Sequence, residues 1–148
     1  MEVHTARWAD LDPETLHDLV KLRVDVFVVE QACPYPELDG HDPEPETEHV
    51  WLADDAGPAA YLRVLSEPGG QLRIGRVCTR PDARSGGYAA RLLADVLDRR
   101  AGRPVVLDAQ AHLARWYEGF GFRPDGAEFV EDGIPHLPMR LMVDQQID

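Results

Sequence analysis

The chain predicts an α+β fold: one mixed, mostly antiparallel sheet of six to seven strands, flanked by helices. Three observations lead there. Short apolar runs of strand length recur along the chain, two of them around a turn at Asp54-Asp55-Ala56-Gly57. Two longer stretches carry apolar residues at the three- and four-residue spacing of amphipathic helices. One strand-like run passes through a glycine-containing turn directly into the second of those helices.

Residues 3–8 read as the first strand. Asp12 is placed to cap a helix whose first turn holds Pro13 and whose stripe is Leu16, Leu19, Val20, Arg23 and Phe27. Residues 33–48 are rich in proline and acid and read as a mobile, solvated loop. Residues 50–53 and 59–65 form paired strands, and residues 72–79 a fourth. The central helix covers 87–99, with Ala89, Leu92, Leu93, Val96 and Leu97 on its apolar face. Residues 105–109 make a fifth strand and 112–120 a helix; 129–131 and 137–143 close the sheet.

Composition narrows the class. A chain of 148 residues suits one domain, residues 1–148, with one core. No apolar run approaches the length of a membrane span, and the N-terminus lacks the basic and apolar segments of a secretory signal. Two cysteines, Cys33 and Cys78, give no disulfide framework and fit a reducing cytoplasm. A formal charge of −12 argues against a nucleic-acid partner and is compatible with a cationic amine substrate. Arg73, Arg76, Arg80, Arg84 and Arg91 form a local exception to that negative field. His41, Asp42, Glu48 and His49 lie close in sequence without a structural-zinc spacing, so no metal is expected. Cys78 reads as a small core thiol.

The positive cluster surrounds the most informative stretch, Arg84-Ser85-Gly86-Gly87-Tyr88-Ala89. A glycine turn feeding a helix N-terminus offers free backbone N–H groups at the positive end of the helix dipole, which suits phosphate or pyrophosphate. Gly86 and Gly87 lack a Cβ, so a ligand can approach the backbone. Neither a Walker-type nor a dinucleotide glycine pattern is present. Further on, the strand at 105–109 leads into Gln110, then Tyr117 seven residues later, then Gly121-Phe122.

Arg84-x-x-Gly87-x-Ala89 resembles the acyl-CoA signature of the GNAT superfamily of N-acetyltransferases. The second segment is similar to the family's strand followed by Asn, Tyr and Gly-Phe, with Gln110 standing where Asn is usual. Val26-Phe27-Val28-Val29-Glu30-Gln31, Cys33-Pro34-Tyr35, Ala109-Gln110-Ala111-His112-Leu113 and Glu131-Asp132-Gly133-Ile134-Pro135-His136 resemble the ElaA branch. The resemblance implies an acetyl-CoA-dependent transfer to a primary amine, small molecule or peptide, by direct attack in a ternary complex. It places Val77, Cys78 and Thr79 beside the pantetheine arm. Arg84, Ser85, Gly86, Gly87, Tyr88 and Ala89 surround the pyrophosphate, and Gln110, Tyr117 and Phe120 complete the cofactor surface. Tyr117 becomes the acid for the departing sulfur. Glu30 and His136 are the leading bases, with Asp39, His49, Asp108 and Glu128 also open. A membrane partner is not expected, and homodimerisation stays open. Two alternatives remain: an acyl-homoserine lactone synthase-like enzyme, suggested by the Arg23-to-Phe27 spacing, and a non-catalytic CoA-binding sensor.

Overall fold

The first helix starts where its cap predicts. The Asp12 carboxylate accepts a hydrogen bond from the Thr15 N–H at 2.8 Å, and Pro13 takes the first helical position. In the computed structural model, which describes residues 1–141, this helix is α1 (Pro13–Val24), and it continues as wider π-helical turns over Asp25–Glu30. The remaining elements are β1 (His4–Arg7), β2 (Glu48–Asp54), β3 (Gly57–Ser66), β4 (Leu72–Thr79), α2 (Tyr88–Arg99) and β5 (Val105–Gln110). After them come α3 (Ala114–Glu118), β6 (Phe122–Pro124), β7 (Phe129–Glu131) and β8 (Ile134–Leu141).

The strands form one sheet in the order β1-β2-β3-β4-β5-β8-β6, with β7 also on β8. Only β4 and β5 run parallel; the other neighbours are antiparallel. The mixed α+β sheet is as the sequence predicts. The three-residue β6 is the strand it did not reveal, which brings the described residues to eight strands. β8 begins earlier than its apolar pattern suggests, because Pro135 and Pro138 weaken the strand signal at its start. Positions 142 and 143 of the expected last strand lie outside the described residues. The helix expected over 112–120 is shorter: a 3₁₀ turn at Ala111–Leu113 precedes α3, which ends before Gly119.

The two faces of the sheet are filled differently. Leu62, Val64, Leu72, Ile74, Val105 and Leu107 meet Leu92, Leu93 and Val96 of α2 on one face. On the other, Tyr61 and Cys78 meet Leu19, Leu22 and Val26 of α1. Alternation along each strand assigns residues to these faces.

The acid-rich loop is the main correction to the sequence reading. It is neither free nor wholly solvated, because buried ion pairs pin it to the sheet. Arg23, 1% exposed on the stripe of α1, donates to Glu37 at 2.8 Å and to Asp42 at 2.9 Å. Arg63 of β3 reaches Asp39 at 2.5 Å and Asp42 at 3.2 Å. Arg76 of β4 donates to Glu37 at 2.6 Å. Each buried charge thus has an opposite partner, the condition on which ionised groups are tolerated inside a protein.

This network makes stability depend on pH. Burial alone would raise Asp39 and Asp42, but the hydrogen bonds and charges of Arg63 and Arg23 hold both below the usual carboxylate range. Burial holds His49 below the ordinary imidazole value. Its ring accepts from the Tyr61 hydroxyl at 2.7 Å and donates to the Asp42 carbonyl at 3.1 Å. All three groups bind protons less readily folded than unfolded, so stability falls as pH falls. The His49 share is complete above an unfolded pKa of about 6.5 and is lost as pH drops through the lower folded value. The Asp shares follow only below about 3.9. The melting temperature is therefore expected to fall between pH 7 and pH 5. In His49→Gln, thermal unfolding followed by circular dichroism should show a shallower fall, and equal slopes would remove His49 from this role.

Candidate active site

The site begins where two strands part. β4 and β5 pair at Leu72 with Val105 and at Arg73 with Val106, and no further. Beyond those pairs the facing edges of the two strands separate, leaving main-chain groups without ladder partners across the gap. On its other side β4 carries a bulge. Tyr61 pairs with Cys78 while Arg63 pairs with Gly75, so Leu62 faces both Arg76 and Val77. Arg76 adopts φ 54°, a left-handed conformation costly for a side chain with a Cβ.

The gap opens a cavity of about 830 Å³, walled by Ile74 to Thr79 of β4 and by Leu107, Asp108 and Gln110 of β5. Arg84, Ser85 and Ala89 line it at the start of α2, and Tyr117 and Trp116 line it from α3. The glycine turn has the conformation its sequence suggests. Ser85 and Gly87 have φ 72° and 74°, and Gly87 is the N-cap of α2 with no side-chain cap. The first turn of α2 contains no acidic residue. Its N–H groups are left for an anion. A Cβ at Gly86 would lie 3.2 Å from the Tyr88 ring, whereas one at Gly87 would meet nothing within 4 Å. Gly86, Gly87, Tyr88 and Phe120 do not themselves line the cavity; Phe120 packs edge-on against Trp116.

The candidate acid and bases occupy distinct settings. Tyr117 is buried against Trp116 and Phe122, and burial pushes its phenol up to about 12. It therefore stays protonated at neutral pH. Glu30 is held by Arg84 through two bonds of 2.6 Å, and these bonds keep its carboxyl below the usual range. That suits an ion pair better than a proton acceptor. The His136 ring stacks on Phe129, and its Nδ1 lies 2.8 Å from the Ile134 carbonyl. With Nδ1–H donating there, Nε2 is the ring nitrogen left as acceptor, and His136 lines the cavity. His136 pairs in register with Gln110, whose amide donates to Gln31 at 3.4 Å.

Other candidates fall away on their surroundings. His49 is enclosed by hydrogen bonds, Asp39 is tied to Arg63, and Glu128 does not line the cavity. Cys78 lines it, but burial pushes its thiol up to about 12, so it is a poor nucleophile. The arginine cluster is engaged within the protein. Arg73 pairs with Glu67 and Asp108, Arg76 with Glu37 and Asp39, and Arg80 with Asp54 and Asp82. Arg84 pairs with Glu30, and Arg91 donates to the Met1 carbonyl. Tyr35, Arg63 and the Arg73–Asp108 pair also line the cavity. Sequence spacing gave no sign of the last, because its members lie on different strands 35 positions apart.

Comparison with known proteins agrees with this geometry. The family model for the acetyltransferase (GNAT) domain matches residues 15–143. A UPF0039 protein of Mycobacterium tuberculosis is 53% identical over 137 residues, covering 89% of this chain and 88% of that protein. Protein ElaA of Escherichia coli is 37% identical, covering 93% of this chain and 94% of ElaA, and its crystal structure superposes with a TM-score of 0.88. An acyl-CoA N-acyltransferase of Pseudomonas aeruginosa superposes with a TM-score of 0.88 at 39% identity, covering 95% of this chain and 99% of that one.

Proposed function

The chain belongs to the GNAT acetyltransferase family, in its ElaA-like branch, and from that premise we propose that it transfers an acetyl group from acetyl-CoA to a primary amine by direct attack. The observation that carries this reading is the parting of β4 from β5 in line with the uncapped start of α2. A pantetheine arm is itself a chain of amides, and the unpaired strand edges offer it donors and acceptors. The α2 N–H groups offer their charge to the diphosphate. The Pseudomonas relative's description as an acyl-CoA N-acyltransferase supports the same donor class.

In the transfer, the amine nitrogen attacks the thioester carbon, the C–N bond forms, and the C–S bond breaks with its electrons leaving on sulfur. Main-chain N–H groups at the Arg76–Val77 bulge are suited to the developing oxyanion. An alkylamine of pKa about 10.4 is almost wholly protonated at pH 7, a penalty of roughly 4–5 kcal/mol. His136, whose Nε2 is available, takes that proton in this account; Glu30, clamped by Arg84, does not. Tyr117 meets the departing thiolate. A phenol near 12 is a weaker acid than a thiol of about 8.5, so it stabilises the sulfur by donating a hydrogen bond rather than by surrendering its proton.

Free-thiol release from acetyl-CoA in the presence of an amine panel tests the reaction. Tyr117→Phe is expected to lower kcat roughly tenfold, the worth of one hydrogen bond to a charged group, with KM for acetyl-CoA nearly unchanged. His136→Gln should lower kcat more at pH 7 than at pH 9, where more of the amine is already free. Wild-type turnover across pH in both variants would refute these roles. A folded protein that binds coenzyme A but acetylates no amine would instead be a sensor.

A further inference from the structure

The side of the cavity facing α1 carries a bipolar wall. Strand alternation and register put Leu65, Arg63, Arg73 and Gly75 on this face of β3 and β4, and Asp108, Gln110 and His136 on the same face of β5 and β8. All of these line the cavity. At the closed end of the gap, where the two strands begin to part, Arg73 Nη1 donates to Asp108 at 3.2 Å, with side chains 33% and 40% exposed. The Nε of Arg73 is taken by Glu67, while its Nη2 bonds to none of the described residues. Behind it, the Nε of Arg63 is the one fully buried side-chain polar atom among the described residues that has no partner. The wall therefore holds donor capacity that the protein does not consume.

Resting on the acyltransferase reading above, we propose that the acceptor is a small amino carboxylate, held by insertion into the Arg73–Asp108 pair. The acceptor carboxylate takes the Arg73 guanidinium, and its ammonium takes Asp108 on the wall that also carries His136. A zwitterion suits this place because it returns to each partner the opposite charge it gives up, so neither is left uncompensated in the cavity. The planar guanidinium matches a carboxylate with two parallel bonds. A simple alkylamine satisfies Asp108 but leaves Arg73 with Glu67 alone and both of its Nη groups unused, and an anion without an amine takes Arg73 away from Asp108 and gives it nothing in return. The local field of the site, not the charge of −12 on the whole chain, then sets the acceptor class.

The test pairs each amino acid with the amine lacking its carboxyl group and reads thiol release from acetyl-CoA. The best amino acid is expected to exceed its decarboxylated partner about tenfold in kcat/KM, the effect of one charge-assisted bond. Arg73→Gln should reduce that preference to less than about threefold while leaving KM for acetyl-CoA unchanged. Asp108→Asn, which frees Arg73, should keep the carboxylate preference and raise the acceptor KM, so the two variants separate the two ends of the ligand. Decarboxylated amines that serve as well in the wild-type protein overturn the inference and leave the acyltransferase reading standing. So does an undiminished preference in folded Arg73→Gln. Absence of thiol release with every acceptor tried overturns both.

Discussion

Gly87→Asp is expected to weaken coenzyme A binding at least a hundredfold while the protein stays folded. The position has φ 74° and caps α2, and a Cβ there meets nothing within 4 Å. Leaving glycine in a left-handed conformation costs about 1 kcal/mol. Aspartate is among the residues that tolerate that conformation, and at an N-cap its carboxylate accepts from the first-turn N–H groups. Those are the same groups the account gives to the diphosphate, so the variant fills the anion site with its own side chain and adds like-charge repulsion. Gly87→Asn, which brings the same shape without the charge, should lose less. Titration calorimetry with coenzyme A beside a thermal melt separates the outcomes, and undiminished binding by folded Gly87→Asp would remove the turn from the site.

Arg23→Met is expected to destabilise the fold by about 3–5 kcal/mol, the cost of removing one partner from a buried ion-pair network. Glu37 and Asp42 are 5% and 2% exposed and share this guanidinium. Without it Glu37 keeps only Arg76 and Asp42 only Arg63, so three carboxylates, with Asp39, share two guanidinium groups and the network between α1 and β3 carries an excess negative charge. Loop 33–48 then loses one of its three anchors, which loosens the Tyr35 wall of the cavity. Urea unfolding reads the stability, and limited proteolysis within 33–48 reads the local release. Replacing Arg23, Glu37 and Asp42 together by apolar residues of similar volume should recover part of the loss, because the carboxylates left short of positive charge are gone and Arg63 and Arg76 keep Asp39 as a partner. A single variant within about 1 kcal/mol of the wild type would mean the network is not what holds the loop.

The parts of the fold readable in sequence were those governed by local chemistry. Asp12 and Pro13 announce the start of α1, the Leu92–Leu93–Val96 spacing announces α2, and the strand over Leu72–Thr79 has the predicted bounds. The glycine turn and the Gln110-to-Tyr117 offset were legible because each lies within one short segment; Tyr117, Gln110 and His136 all line one cavity. What stayed hidden depends on partners distant in sequence. Arg23 looked like one more member of a helical stripe, because its partners lie 14 and 19 positions away. The loop's prolines and acids signal disorder and solvation by composition, whereas ion pairs from three separate elements decide its real state. The bulge at Arg76 leaves no mark in sequence, since φ 54° there is imposed by the pairing of β4 with β3. The arginine cluster was legible only as a count: charge counts locate cations and do not reveal that Asp54, Asp82, Glu30, Glu37 and Asp108 have engaged them.

Equilibrium dialysis of labelled coenzyme A against the folded protein tests the central claim most directly, that the separated strands and the α2 N-terminus form one thioester-carrier site. The account predicts uptake that saturates at one molecule per chain and is competed by acetyl-CoA. Folded protein that retains no coenzyme A above the level of free solution would contradict it.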